Sequence, residues 1–104
     1  MRSVAVQPEA LKETDDAYGW YEEKEPGLGF RFLHDLETAY AAIARWPETY
    51  QPVGGGFRRA LMGKYPYAVF FEFNKNLVVV HPVFHCSRNP TEWRSRLTPL
   101  KKIL

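Results

Sequence analysis

One histidine sits among arginines near the end of the chain. Residues 84–96, FHCSRNPTEWRSR, hold His85, Arg88, Trp93, Arg94 and Arg96. Upstream, residues 57–67, FRRALMGKYPY, add Arg58, Arg59, Lys64, Tyr65 and Tyr67. This mixture matches what RNA cleavage by its own 2′-hydroxyl requires: a proton acceptor, a proton donor and cations for the charge that develops on phosphorus. His85 is the acid–base candidate, because imidazole titrates near neutrality. The planar fork of Arg58, Arg59 or Arg88 suits phosphate, and Trp93, Tyr65 and Tyr67 can stack a base. The same residues admit a quieter reading. His85 can be a structural histidine bonded to a main-chain carbonyl. Arg88 and Arg96 can pair with Glu92 or with an acidic partner, and one of Arg58 and Arg59 can serve the fold while the other faces a partner.

Other chemistries are disfavoured. His81 and His85 lie four apart in a strand-like run, which separates their backbones by roughly 13 Å. Zinc ligands must converge far more closely, so no metal is expected. Cys86 follows His85 directly, and adjacent strand residues face apart, which disfavours a cysteine–histidine nucleophile. Gly54-Gly55-Gly56 is followed by a strand-like run rather than a helix. It therefore lacks the helix N-terminus of a phosphate-binding loop. The aromatic run Tyr67–Phe73 reads as core, and no cofactor is expected.

The elements that must position these residues follow from periodicity. Arg2–Gln7 alternates around Val4 and Val6, a short first strand. Pro8 then suits the first position of a helix, with Glu9 in its first turn. Leu11, Thr14, Ala17/Tyr18 and Tyr21 form its apolar stripe. Gly19 interrupts that helix, and a close helix–helix contact would account for it. Pro26-Gly27 breaks the pattern. A second stripe runs through Phe32/Leu33, Leu36, Ala39/Tyr40, Ile43 and Trp46, giving an antiparallel helical hairpin. His34 falls on its polar side. Pro47–Gly56 reads as a loop. Strands are expected over Phe57–Met62, Tyr67–Phe73 and Leu77–Phe84, with Asn74-Lys75-Asn76 as a hairpin turn and Pro82 marking a bulge or strand end. Asn89-Pro90-Thr91-Glu92 opens a short helix through Arg96. The order β-α-α-β-β-β-α predicts an α+β fold, an antiparallel sheet with the helical hairpin packed on one face.

The chain of 104 residues reads as a single domain. No apolar run reaches the roughly 18 residues of a membrane span, and no leader pattern is evident, so no membrane partner is expected. One cysteine fits a reducing, cytoplasmic setting. The net charge of +2 conceals a division. Residues 1–56 carry 5 Lys/Arg against 10 Asp/Glu, and residues 57–104 carry 9 against 2. A basic half facing a polyanion or an acidic protein follows, unless the acidic helices simply neutralise the basic sheet.

The ordered signature is Trp20-Tyr21-Glu22, Pro26 to Phe32, Arg58/Arg59, Tyr65-Pro66-Tyr67, then His85, Arg88, Pro90, Trp93 and Arg96. It resembles the RelE/ParE superfamily of toxins from type II toxin–antitoxin pairs, over nearly the whole chain. The resemblance implies a single toxin domain, residues 1–104, neutralised by a cognate antitoxin protein wrapped over its surface. RelE-like members cut mRNA on the ribosome; ParE-like members poison DNA gyrase. The cleaving members use lysines on the second strand, an arginine early on the third, an arginine after the fourth and a C-terminal tyrosine. Here Arg88 matches the arginine after the fourth strand, and Arg59 and Lys64 lie near the lysine positions. Ala68 and Trp93 occupy the other two roles. The resemblance thus points to the ParE-like side, a gyrase inhibitor of the plasmid-stabilising kind. Arg58, Arg59, Lys64, Tyr65, Arg88, Trp93 and Arg96 would be its binding residues. The alternatives are a ribosome-dependent endoribonuclease using His85, Arg58, Arg59 and Arg88, or a protein-binding module without toxicity.

Overall fold

The structure, a computed structural model, describes the backbone of residues 1–85 and the side chains of residues 1–81. Strand β1 (Ser3–Val6) leads into helices α1 (Pro8–Lys24) and α2 (Leu28–Arg45). A single 3-10 turn (Pro47–Thr49) follows, then strands β2 (Gln51–Gly54), β3 (Phe57–Leu61), β4 (Tyr67–Phe73) and β5 (Leu77–His85). The strands form one sheet in the order β1-β5-β4-β3-β2. The expected α+β class, with the helical hairpin on one face, is borne out. The expected helix from Asn89 lies outside the described residues.

Two features of the sheet differ from expectation. It is mixed rather than wholly antiparallel, because β1 runs parallel to β5, from Ser3 opposite Leu77 to Val6 opposite Val80. The hairpin of β4 and β5 leaves one edge of β5 open, and β1 fills it in the direction that delivers the chain to α1. The N–H of Gln7 still bonds to Val80 O, at 3.0 Å, as the chain leaves the sheet. The second difference is β2, which occupies part of the expected Pro47–Gly56 loop. Gly54 pairs with Phe57, so Gly55 and Gly56 form a two-residue hairpin turn with φ of 64° and 84°. Positive φ at both central residues is the type I′ geometry that matches strand twist and favours glycine. Pro52 is tolerated because β2 is an edge strand.

Alternation along the strands sorts the core. Ala60, Val69, Phe71, Val78 and Val80 meet Ala10, Ala17, Tyr21, Phe32, Leu36 and Ile43 of the helices. The α1 stripe is rotated from the expected one: Ala10 is buried while Leu11 is exposed. At the end of α2, Trp46 is exposed and Pro47 is buried in its place. The bulge expected at Pro82 is present. Val80 lies opposite Phe71 and Val83 opposite Val69, so β5 carries an extra residue at His81-Pro82.

The helical hairpin is fixed by one carboxylate and one glycine. Glu22 Oε1 accepts the N–H groups of Gly27 at 2.9 Å and Gly29 at 2.8 Å. It caps the N-terminus of α2, whose own N-cap residue, Gly27, has no side chain to do so. A Cβ on Gly29 would lie 2.6 Å from Glu22 Cγ and 2.7 Å from Tyr18 Cδ2. The close helix–helix approach expected at Gly19 is therefore found at Gly29. Among the described residues, nothing lies within 4 Å of a Cβ built on Gly19. Accordingly Gly29→Ala should lose about 2 kcal/mol or more through overpacking. Gly19→Ala should gain about 0.5–1 kcal/mol from helix propensity alone. Urea unfolding of the two variants against the parent chain measures both, and opposite signs are the expected result.

Candidate functional site

Arg58 and Arg59 are neighbours on β3 and therefore face opposite sides of the sheet. Arg58 turns to the helical side. Its Nη1 donates to Tyr50 O at 2.7 Å and to Glu48 O at 3.3 Å, and the guanidinium lies 5.6 Å from the centre of the Phe73 ring. Arg2 addresses the same ring at 5.3 Å, donates from Nε to Asn74 O at 2.6 Å, and lies 3.6 Å from the Glu48 carboxylate. Arg58 thus ties the segment before β2 to the sheet. Arg59 points the other way and donates to the Gln51 side chain at 2.8 Å, near solvent. The two arginines do not converge on a common point.

Lys64 and Tyr65 sit on the turn between β3 and β4 and meet at Asp35 of α2. Lys64 is well exposed, with Nζ 3.5 Å from Asp35 Oδ2. The Tyr65 hydroxyl donates to the same oxygen at 2.8 Å. The Tyr65 ring is 7% exposed and packs edge-on against Tyr21 and Phe32, with centroids 5.4 and 5.1 Å apart. The Tyr65 bond, with help from Lys64, holds the Asp35 carboxyl below its usual range. Burial first, and the Asp35 bond second, push the Tyr65 phenol up to about 12. Burial between the helices also takes Tyr40 to about 12, with the Thr14 hydroxyl pulling the other way. Tyr65 is therefore placed to position Lys64 through Asp35, with its own ring inside the core.

His85 lies opposite Tyr67 in the ladder, at the end of β5. Its side chain, and Arg88, Trp93 and Arg96 with the expected acid–base tip, lie outside the described residues. A different histidine comes forward. His81 Nε2 lies 2.8 Å from Glu72 Oε2, and the ring stands edge-on to Phe57 at 4.8 Å. His81 is buried on the face away from the helices. This pair ties β4 to β5 with the imidazole buried and the carboxylate only partly exposed, which suits it to packing rather than to proton transfer with a substrate. Its signal was present in the alternation: Glu72 sits opposite Val79, so a histidine two residues beyond Val79 shares its face. On β4, Ala68 is 4% exposed beside Phe70 and carries no charge. Among the described residues, no three His, Cys, Asp or Glu side chains cluster as a metal site, and no helix is long and apolar enough to cross a membrane.

The model of the ParE toxin family, described as the ParE toxin of the type II toxin–antitoxin system parDE, matches residues 4–90. The chain belongs to that family. Its fold is similar to that of a solved chain from the chromosomal ParDE toxin–antitoxin system of P. aeruginosa, with a TM-score of 0.71 at 13% identity. That likeness covers 82% of this chain and 96% of the other. No curated protein sequence matches. Within a ParE-family fold, then, β3 carries one arginine committed to the main chain and one near solvent.

Two measurements separate these roles. Arg58→Ala removes charge-assisted bonds to two carbonyls and should lose about 1.5–3 kcal/mol, whereas Arg59→Ala should stay within about 0.5 kcal/mol of the parent. Urea midpoints at neutral pH read both. Tyr65 and Tyr40 stand at about 12 in the fold against an ordinary value of 10.0. Their contribution is complete below pH 10 and is lost as pH rises through 12. The urea midpoint should therefore fall across that window, and Tyr40→Phe should flatten the fall.

Proposed function

We propose that this chain is a cytoplasmic toxin that arrests growth by inhibiting DNA gyrase, and that a cognate antitoxin neutralises it. The match to the ParE toxin family over residues 4–90 carries this reading. The disposition of the β3 and β4 residues supports it against RNA cleavage. A cleaving site needs several cations around one phosphate, yet Arg58 is bonded to the carbonyls of Glu48 and Tyr50. Ala68, buried in β4, supplies no charge where an arginine would be needed.

Arg59 and Lys64 are the described members of the proposed binding surface, and Arg88, Trp93 and Arg96 would complete it. Tyr65 belongs to it as the residue that holds Lys64 near Asp35. A basic surface of this kind suits an antitoxin with an acidic binding segment, and the attraction between them is screened by salt.

Purified chain added to gyrase and relaxed plasmid should block supercoiling, and addition of the antitoxin should restore it. Undiminished supercoiling at excess toxin overturns the reading. Codon-linked mRNA cuts in induced cells, abolished by His85→Ala in a folded protein, would establish the ribosomal alternative instead. Antitoxin affinity should fall as salt rises, and Arg59→Glu should lower it about tenfold while the urea midpoint stays nearly unchanged.

A further inference from the structure

Lys64 does not meet Asp35 in isolation. On α2, Arg31, His34 and Thr38 stand at i, i+3 and i+7, one helical stripe, and all three are exposed. Asp35 borders that stripe and is half-buried. A single oxygen of its carboxylate receives the Tyr65 hydroxyl at 2.8 Å and faces Lys64 Nζ at 3.5 Å. The turn before β4 thus brings Lys64 up to the helix that carries Arg31 and His34.

The field around Asp35 favours negative charge. The Tyr65 bond first, then Lys64, then His34 hold its carboxyl below the usual range, against the effect of burial. Burial raises the Tyr65 phenol, and the Arg31 charge opposes that rise. The chain's own carboxylate is therefore stabilised here, which identifies the chemistry this place accepts. Asp35 answers only part of the positive charge around it. Its bonded oxygen is taken by Tyr65 and Lys64, and no described carboxylate bonds to Arg31 or His34. On the same helix His34 is flanked by Phe30, Arg31, Asp35, Glu37 and Thr38, and from the turn it is approached by Lys64 and Tyr65. Glu37 is exposed, so water competes for its charge.

We propose that Arg31, His34 and Lys64 dock an acidic segment of a protein partner, and that the charge on His34 sets how tightly they hold it. The segment's carboxylates straddle Asp35, with Lys64 on one side and Arg31 and His34 on the other. A compact phosphate would have to sit on Asp35 itself, whereas carboxylates spaced along a peptide avoid it. The proposal rests on the reading that Lys64 belongs to the antitoxin-binding surface, and it extends that surface from the sheet onto α2. Histidine gains its charge between about pH 8 and pH 5. Exposed aspartate and glutamate stay ionised above about pH 5. Binding therefore tightens as pH falls through that window.

The test uses the full chain and a fluorescent alanine-based helical peptide with glutamates spaced four apart, at low salt, at about pH 8 and about pH 5.5. The parent chain should bind about threefold more tightly at the lower pH. His34→Gln should keep the affinity of the higher pH and lose the gain. Arg31→Gln should weaken binding about threefold at both. Urea midpoints of the two variants should stay near the parent's, because both side chains are exposed. A peptide with arginine in place of glutamate should not bind. Equal binding by the parent, His34→Gln and Arg31→Gln chains at both pH values overturns the proposal. If Arg59→Glu still lowers that binding, the antitoxin surface on the sheet stands without α2. No binding of the glutamate peptide to the parent overturns the proposal as well. So does tighter binding of a single-stranded oligonucleotide that is lost in the same variants, which would make this a nucleic-acid face.

Discussion

The contact between Glu22 and the first turn of α2 governs the placement of the helical layer. An α-helix begins with N–H groups that have no partner within it, and the positive end of its dipole attracts a carboxylate. In most helices a local side chain answers that need. Here the connector is Pro26-Gly27, and Gly27 adopts a φ of 90°, which gives the sharp turn but supplies no capping group. Glu22, on the preceding helix, bonds to Gly27 and Gly29 instead. One side chain therefore fixes both the direction of the turn and the separation of α1 and α2. Gly29 is the corollary, because any side chain there would occupy the space that the Glu22 methylenes and the Tyr18 ring need.

That constraint propagates into the sheet through aromatic contacts. With α1 and α2 held together, Tyr21 and Phe32 present their rings to Tyr65, which closes the turn between β3 and β4. The Tyr65 hydroxyl then reaches Asp35 and brings Lys64 beside it. At the other end of the strands, Phe73 receives Arg2 and Arg58, and both arginines also bond main-chain carbonyls. The cations of the basic half are thus unequal. Arg58 holds the sheet to its flanking segment, whereas Arg59 and Lys64 remain near the surface.

Much of this order was legible in the sequence. The helical hairpin, the three long strands and the irregularity at Pro82 all follow from periodicity and from proline's missing N–H. The division of Arg58 from Arg59 by strand alternation was equally plain, although which of them turns inward depends on Tyr50 and Phe73, contacts that spacing does not encode. The β2–β3 hairpin was hidden by composition. Three glycines suggest mobility, yet two of them supply the positive φ of a tight turn, and Pro52 argues against a strand unless the strand lies at an edge. The parallel partner of β1 was hidden by length, since four residues with two valines fit either edge of the sheet. Leu11 and Trp46 mark where hydrophobicity outweighed shape: small Ala10 and compact Pro47 fit the space under the helices, and the larger neighbours are displaced to solvent. The tip that carries His85, Arg88, Trp93 and Arg96 lies at or beyond the end of the described side chains, so its acid–base reading rests on residue types alone.

The charge division now has a physical reading as well. If the acidic helices existed to neutralise the basic sheet, their carboxylates would lie at the junction between the layers. Asp35 does so, meeting Lys64 and Tyr65, but an exposed lysine pair of that kind contributes little. Asp15, Asp16, Glu23 and Glu25 instead stand exposed on the helical hairpin. Of the 9 Lys/Arg in residues 57–104, Arg58 is held by carbonyl groups rather than by a carboxylate. Among the described residues, the exposed carboxylates of the helical hairpin and the surface cations Arg59 and Lys64 thus stand largely on separate elements, with Asp35 and Lys64 as a point where they meet. Separation of this kind orients an approaching macromolecule before contact and discriminates between partners of opposite sign. That distinction suits a domain that meets another macromolecule, whereas charges paired within the fold would offer an approaching partner little to read.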